Sequence, residues 1–339
     1  MKTLYSEILL FFLIIVLLLV ETRIVLDDNL FSEASLNKIA VIFRLTKNQT
    51  RKIPSAIAVS KENFNQAMLH ERKTTENYYP RRDWSVEDPN ISASSVLVYD
   101  LNQEKALFEK KITQSFPVAS LTKLIAGIVV SENKDYFRDW LSFKKEDLSV
   151  EGHRDIFQEN EEYKVKDLLA ASLISSSNEA VSLLARSLES ELIKQGKDGN
   201  FVELMNLKSA KIGLSDTHFS NPVGFDGDNF SSAWDLLKIT RALLKENNRI
   251  FRDSVLETKS IFSRAGRKVN LYNTNKLLEK NHSDILISKT GHTDLAQGCM
   301  LIVKNFSQDQ VVLIILGSLN RAIEMEKLIN WTNKAYIFE

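Results

Sequence analysis

The sequence predicts an α/β (α+β) fold, an antiparallel sheet flanked by helices, and three observations lead there. Strand-like stretches cluster at 95–109 and again at 267–316, while the segment between them, from about 133 to 235, is mostly helical in pattern. The C-terminal stretch carrying Ala322, Met325, Ile329, Thr332 and Tyr336 is amphipathic, as expected of a helix laid on a sheet.

Taken in order, the chain begins with an unbroken apolar run, Ile8 to Val20, preceded by Lys2 and Glu7 and followed by Glu21 and Arg23. The run suits a signal-peptide core and falls short of the roughly 17 to 25 residues of a membrane span. No Ala-x-Ala-like cleavage site follows it, so residues 1–26 are expected to stay attached as a signal anchor, with tilt or bilayer thinning absorbing the mismatch. A cleaved signal peptide is the alternative. Either reading sends the remainder out of the cytoplasm, with a membrane contact through the N-terminal segment. Residues 27–88 contain no glycine and carry mixed charge, and they are expected to form a spacer before a catalytic domain at 89–339.

Ser95 to Leu101 is β-branched and apolar, and Asn102-Gln103 can turn the chain into Lys105 to Glu109, a hairpin. Val165 to Ile174 has apolar residues at three-and-four spacing, breaks at Ser175-Ser176-Ser177-Asn178, and a second helix resumes at Glu179 and runs to about Leu188. Asn221 to Asn229 is a turn-rich loop, after which Ser231 or Ser232 caps a helix. Asp226 and Asp228 lack the other acidic ligands of a calcium loop, so the loop reads as a plain turn. Arg267 to Leu271, Ile285 to Thr290, Gly298 to Val303 and Val311 to Leu316 read as strands of the sheet.

Composition excludes several function classes. Forty-four basic residues balance forty-four acidic ones, which gives no global case for nucleic acid. The single cysteine, Cys299, rules out an internal disulfide, and the five scattered histidines include no zinc-binding pair. Cys299 itself reads as a packed structural residue.

Three short motifs carry chemistry. Ser120 and Lys123, three residues apart at the start of an apolar helix, place a hydroxyl beside an amine that can take its proton if it is held neutral. Burial and a second nearby cation both favour the neutral amine. Alone, such a pair is as readily a helix-capping serine and a solvated lysine. Ser176-Ser177-Asn178 puts small polar groups at a tight junction between helices, where a turn is the bland reading. Lys289-Thr290-Gly291-His292-Thr293 ends a strand with a lysine and hydroxyls able to hold a carboxylate, beside a backbone N–H open to substrate. Ser-x-x-Lys, Ser-x-Asn and Lys-Thr-Gly in this order form the set known for β-lactamases and penicillin-binding proteins.

From about Pro89 onward the chain closely resembles the serine D-alanyl-D-alanine carboxypeptidases, the low-molecular-mass penicillin-binding proteins. The resemblance runs through Ala119 to Leu124, Leu173 to Ala180, Met205-Asn206, Gly213 to Phe219, Asn273 to Leu278 and Lys289 to Ala296. It implies a β-lactamase/DD-peptidase-like fold, an antiparallel five-stranded sheet with a mostly helical region inserted between its early and late strands. The chain stops too soon for the extra C-terminal β-rich domain that some members carry. The implied reaction cleaves the terminal D-Ala-D-Ala bond of peptidoglycan stem peptides through an acyl-enzyme, needs no metal or organic cofactor, and is inhibited by β-lactam antibiotics. By the same resemblance Ser120 is the nucleophile, Lys123 its base and Ser176 the proton relay to the leaving amine. Asn178 orients the substrate, and Lys289 and Thr290, with Thr293, receive its carboxylate. Gly291 and His292 belong to the substrate-binding strand, and the backbone N–H groups of Ser120 and His292 form the oxyanion hole. Three relatives of this reading stay open: a β-lactamase, a DD-endopeptidase acting on cross-links, and a non-catalytic peptidoglycan-binding protein. A β-lactamase of the glutamate-held-water class needs a Glu-x-x-x-Asn element, and Glu203 to Asn206 is one residue short of it.

Overall fold

The computed structural model describes residues 80–338 apart from 134–138, 153–154, 198, 226, 246–248 and 281–283. The expected signal anchor at 8–20 and nearly all of the expected spacer lie outside the described residues. Among the described residues no helix is long and apolar enough to cross a membrane.

Strand β1 (Ser95–Asp100) turns into β2 (Lys105–Lys110), and the chain then enters helix α1 (Thr122–Glu132). Helices α2 (Val165–Ile174), α3 (Asn178–Lys194), α4 (Phe201–Lys211) and α5 (Ala233–Lys245) follow. Next come strands β3 (Thr258–Phe262), β4 (Lys268–Tyr272), β5 (Ile285–Thr293), β6 (Gln297–Phe306) and β7 (Asp309–Ser318), and the terminal helix α6 (Arg321–Ala335). The main sheet is five-stranded and antiparallel in the order β5-β6-β7-β1-β2, as expected, with β5 at one edge.

Period-two alternation assigns each strand residue to one of two cores. Leu97, Cys299, Leu301, Val303, Val312 and Ile314 face the helical region, while Val98, Met300, Ile302, Leu313 and Ile315 pack under α6 against Met325, Leu328 and Trp331. Helix α1 is apolar nearly all round, which is the composition of a helix buried on every side, and it runs through the first of these cores.

The structure differs from expectation in three places. The stretch at Arg267–Leu271 is a strand, β4, but it pairs with β3 in a separate two-stranded hairpin and not with the main sheet. In its two strands only Ile261, Val269 and Leu271 are buried, so it has one apolar face, which packs against α2. The helical insert also contains a short strand pair, Trp140–Ser142 with Glu162–Lys164. Helix α3 continues beyond Leu188 to Lys194, because Leu192 extends the buried row Leu184, Leu188 by one more turn.

Candidate active site

The site lies where the start of α1, the α2–α3 junction and the edge strand β5 converge. Ser120 sits in a single 3-10 turn, Ala119–Leu121, just before α1, so it precedes the α-helix whose first turn carries Lys123. Ala119 is left-handed at φ 48°, a conformation uncommon for a residue with a Cβ and concentrated at functional turns. Three hydrogen bonds, two of them within the backbone, fix this turn from both sides: Val118 N–H to the Asn229 carbonyl at 3.1 Å, Leu121 N–H to the Val118 carbonyl at 3.1 Å, and the Thr122 hydroxyl to the Ala119 carbonyl at 2.8 Å.

Lys123 is fully buried, and its amine is surrounded by oxygens: Ser120 Oγ at 2.9 Å, Asn178 Oδ1 at 2.8 Å and the Val223 carbonyl at 2.7 Å. A buried amine is tolerated only when its N–H groups find such partners. As a neutral amine it has two N–H groups and one lone pair. Nζ lies within hydrogen-bond reach of Ser120 Oγ, the distance at which an amine, once neutral, can take a serine's proton. That is the arrangement a serine nucleophile needs from its base.

Each of the two fixed acceptors is itself held. Asn178 opens α3, its Nδ2 donating to the Glu151 carbonyl at 2.7 Å, which sets the amide so that the oxygen faces Lys123. Ser177 caps the same helix by accepting from Ala180 N–H at 3.1 Å, and its hydroxyl donates to Glu179 at 2.7 Å. The Val223 carbonyl belongs to the 221–229 loop, where Asn221 Oδ1 accepts from the N–H groups of Val223 at 3.0 Å and Gly224 at 2.7 Å. Asn229 closes the loop, its Nδ2 donating to the Asn221 carbonyl at 2.8 Å and to Thr122 Oγ1 at 3.0 Å. Gly224, at φ 76°, lies so close that a Cβ would stand 2.2 Å from the Ala119 carbonyl.

Ser176 is also left-handed, at φ 57°, and accepts from Lys289 Nζ at 2.9 Å. Lys289, 1% exposed, also donates to the Thr290 carbonyl at 2.9 Å. The Thr290 hydroxyl shares a 2.6 Å hydrogen bond with Thr274, at the end of the β3–β4 hairpin. Gly291 runs directly against the Ser120 turn, since a Cβ there would lie 2.9 Å from the Val118 carbonyl and 3.0 Å from Ser120 N. His292 is exposed, and Thr293 Oγ1 accepts from Ala296 N–H at 3.0 Å in the turn to β6, with its own O–H left to donate.

The structure thus brings Ser120, Lys123 and Asn178 into one hydrogen-bonded group and Ser176 and Lys289 into a second, with Thr290 and Gly291 on the strand beside them. Sequence reading missed the Val223 and Glu151 carbonyls, because a backbone acceptor leaves no side-chain signature. It also missed Thr274, Asn221 and Asn229 as supports, although the Asn-Pro-Val-Gly turn marked the loop. Cys299 is fully buried on the neighbouring strand opposite Gly291, and burial pushes its thiol up to about 11, which makes it inert as a nucleophile.

Residues 82–320 match the family described as D-alanyl-D-alanine carboxypeptidase. The chain is 27% identical over 241 residues to the D-alanyl-D-alanine endopeptidase of Escherichia coli, a match covering 70% of this chain and 75% of that one. It is 27% identical over 231 residues to the D-alanyl-D-alanine carboxypeptidase DacF of Bacillus subtilis, covering 67% of this chain and 57% of the relative. Among solved structures, penicillin-binding protein D2 of Listeria monocytogenes in its cefotaxime-bound form superposes with a TM-score of 0.62 at 26% identity, covering 72% of this chain and 98% of the other.

Proposed function

The chain belongs to the D-alanyl-D-alanine carboxypeptidase family, and from that premise we propose that it is a penicillin-sensitive serine peptidase that removes the terminal D-alanine from peptidoglycan stem peptides through an acyl-enzyme on Ser120. The observation that carries the reading is the 2.9 Å contact between Ser120 Oγ and the buried amine of Lys123, which also donates to Asn178 Oδ1 and the Val223 carbonyl.

In the first half-reaction Ser120 Oγ attacks the carbonyl of the penultimate D-alanine and gives its proton to Lys123. The oxyanion forms against the N–H groups of Ser120 and His292, where one well-placed donor is worth about 3 kcal/mol. The C–N bond then breaks as Ser176, held by Lys289, hands its proton to the departing amine and takes the one on Lys123, which returns to the neutral amine. Lys289, Thr290 and Thr293 receive the terminal carboxylate, whose charge the buried ammonium complements. In the second half-reaction water attacks the acyl carbon, gives its proton to Lys123 and frees Ser120. A β-lactam follows the first half-reaction and stalls before the second.

The catalytic body works in the cell envelope, outside the cytoplasm, with residues 8–20 as its membrane anchor and 27–88 as spacer. The test is intact-mass analysis of the full chain after penicillin treatment, together with D-alanine release from a D-Ala-D-Ala pentapeptide. A single adduct lost in Ser120→Ala, with loss of D-alanine release, is expected. Adduct formation or release persisting in Ser120→Ala would overturn the assignment, and recovery of the chain in the soluble fraction would overturn the anchor.

A further inference from the structure

On the surface of the helical insert, where α3 meets the strand Trp140–Ser142 and the turn of the β3–β4 hairpin, lies a hollow of about 480 Å³. Trp140, Leu141, Arg186, Ser187, Ser190 and Arg264 form part of its wall. The volume falls within the range of about 300 to 1,000 Å³ usual for small-molecule sites, and no step of the proposed reaction uses it. The wall is dense in hydrogen-bonding groups, yet its charges cancel in pairs. Arg186 holds the buried carboxylate of Asp147 through two bonds, at 2.8 and 2.6 Å. Arg264 pairs with Glu162 at 3.0 Å, and Lys194 with Glu191 at 3.7 Å. The Ser190 hydroxyl donates to the Arg186 carbonyl at 2.9 Å, which leaves its oxygen to accept. Trp140 is half-buried, with Lys164 Nζ 5.0 Å and the Arg264 guanidinium 5.9 Å from the centre of its ring.

A wall whose charges are paired gives an ion little to hold. Donors and acceptors set beside the apolar surface of Trp140 and Leu141 instead suit a neutral ring that carries hydroxyl and amide groups at its rim and C–H groups on its faces, which is the chemistry of an N-acetylated sugar. The distance fits as well. In a stem pentapeptide four residues lie between the bond to be cut and the glycan-linked end, and extended they reach about 14 Å at roughly 3.3 to 3.6 Å each. From Asn178, the residue proposed to orient the substrate, α3 rises about 12 Å to Arg186 and about 18 Å to Ser190, at about 1.5 Å per residue. We propose that the hollow binds an N-acetylated sugar of the glycan strand that bears the stem peptide, so that the insert holds the glycan while Ser120 acts on the peptide. The inference rests on the Ser120 peptidase reading given above. Binding energy gained there, remote from the reacting bond, raises kcat/KM for a glycan-linked peptide over the same peptide alone.

The experiment gives the full chain two substrates that end in D-Ala-D-Ala: a pentapeptide with an acetylated N-terminus, and the same pentapeptide joined to an N-acetylated disaccharide. D-Alanine release is followed and kcat/KM compared. The disaccharide substrate should be used about tenfold better. Trp140→Ala removes the apolar wall, and Ser190→Trp, a change at an exposed helix position, fills the hollow. Each should bring the disaccharide substrate down to the level of the free pentapeptide, while kcat/KM for the free pentapeptide and the rate of penicillin adduct formation stay at the parent values. Equal use of the two substrates by the parent chain, a preference that survives Ser190→Trp, or an equal loss on both substrates in Ser190→Trp overturns the sugar site and leaves the carboxypeptidase reading intact. Failure of the parent chain on both substrates, with no penicillin adduct, overturns that reading and the sugar site with it.

Discussion

Lys123 and Asn178 meet at 2.8 Å, amine to amide oxygen, across the packed faces of α1 and α3. The amide cannot turn over without cost, since its nitrogen is donating to the Glu151 carbonyl. Asn178 therefore offers Lys123 an acceptor that is fixed in direction and carries no charge. A neutral partner leaves the lysine freer to lose its proton than a carboxylate would.

Asn178→Asp tests that distinction. The variant keeps an oxygen for Lys123 but adds a negative charge that favours the ammonium, and it loses the donor to Glu151. The rate of penicillin adduct formation at neutral pH should fall by about tenfold or more and recover as the pH is raised. A pH profile identical to that of the parent chain would mean that Asn178 does not govern the state of Lys123.

Lys123→Met removes the proposed base while keeping an unbranched side chain. Loss of a positioned base should slow acylation by roughly 10² to 10⁴-fold. The buried oxygens of Asn178 and Val223 lose a donor, at about 1 to 3 kcal/mol for each left unsatisfied. Stopped-flow acylation and urea unfolding measure the two effects separately. Acylation within a few-fold of the parent chain would assign the base to another group.

Much of this was legible in the chain. The Ser120–Lys123 spacing, the Ser176–Asn178 junction and the Lys289–Thr290–Gly291 strand end are side-chain patterns, and their order alone brings them together. The strands of the main sheet were legible because they alternate or run apolar, while their number, five, came from the family resemblance. What escaped depends on tertiary partners. A short one-faced strand such as β4 reads the same whether it joins a sheet or a separate hairpin, and its partner β3, with a single buried residue, gave no strand signal. The supports of Lys123 escaped because half of them are carbonyls, and because Asn221 and Asn229 look like ordinary turn residues until Thr122 and Val223 are found beside them.

The two tight glycines should fail in different ways. Gly291→Ala places a methyl against the Val118 carbonyl and Ser120 N at about the limit of contact, so β5 must move away from the nucleophile turn. A displacement of this kind separates the proposed oxyanion donors and should cost acylation more than stability. Gly224→Ala is both left-handed and blocked by the Ala119 carbonyl, and should destabilise by about 1 to 3 kcal/mol while loosening the Val223 carbonyl. Thermal unfolding and penicillin acylation of both variants check this. Two wild-type-like proteins would contradict the close packing of β5 and the 221–229 loop on the turn.

The last prediction concerns Glu324, which ties the start of α6 to β7 and to the segment just before β1. Its buried carboxylate accepts from Ser92 N–H at 2.5 Å and Oγ at 2.7 Å, from Ala93 N–H at 3.1 Å and from Ser318 Oγ at 2.5 Å. Burial opposes ionisation, but the hydrogen bonds from Ser318, Ser92 and Ala93 together outweigh it and hold the carboxyl below its ordinary value. A carboxyl whose value is lower in the folded than in the unfolded chain binds fewer protons when folded. Its stabilisation is therefore fully present above the unfolded value, about 4.3, and is lost as the pH falls through the folded value. Glu324→Gln keeps the shape but replaces one accepting oxygen with an N–H donor aimed at other donors. It should lower stability at pH 7 by about 1 to 3 kcal/mol. The difference from the parent chain should shrink as the pH is lowered below about 4. Urea midpoints of the two chains at pH 7 and at acid pH read this directly, and a gap that stays constant with pH would show that the charge of Glu324 contributes nothing.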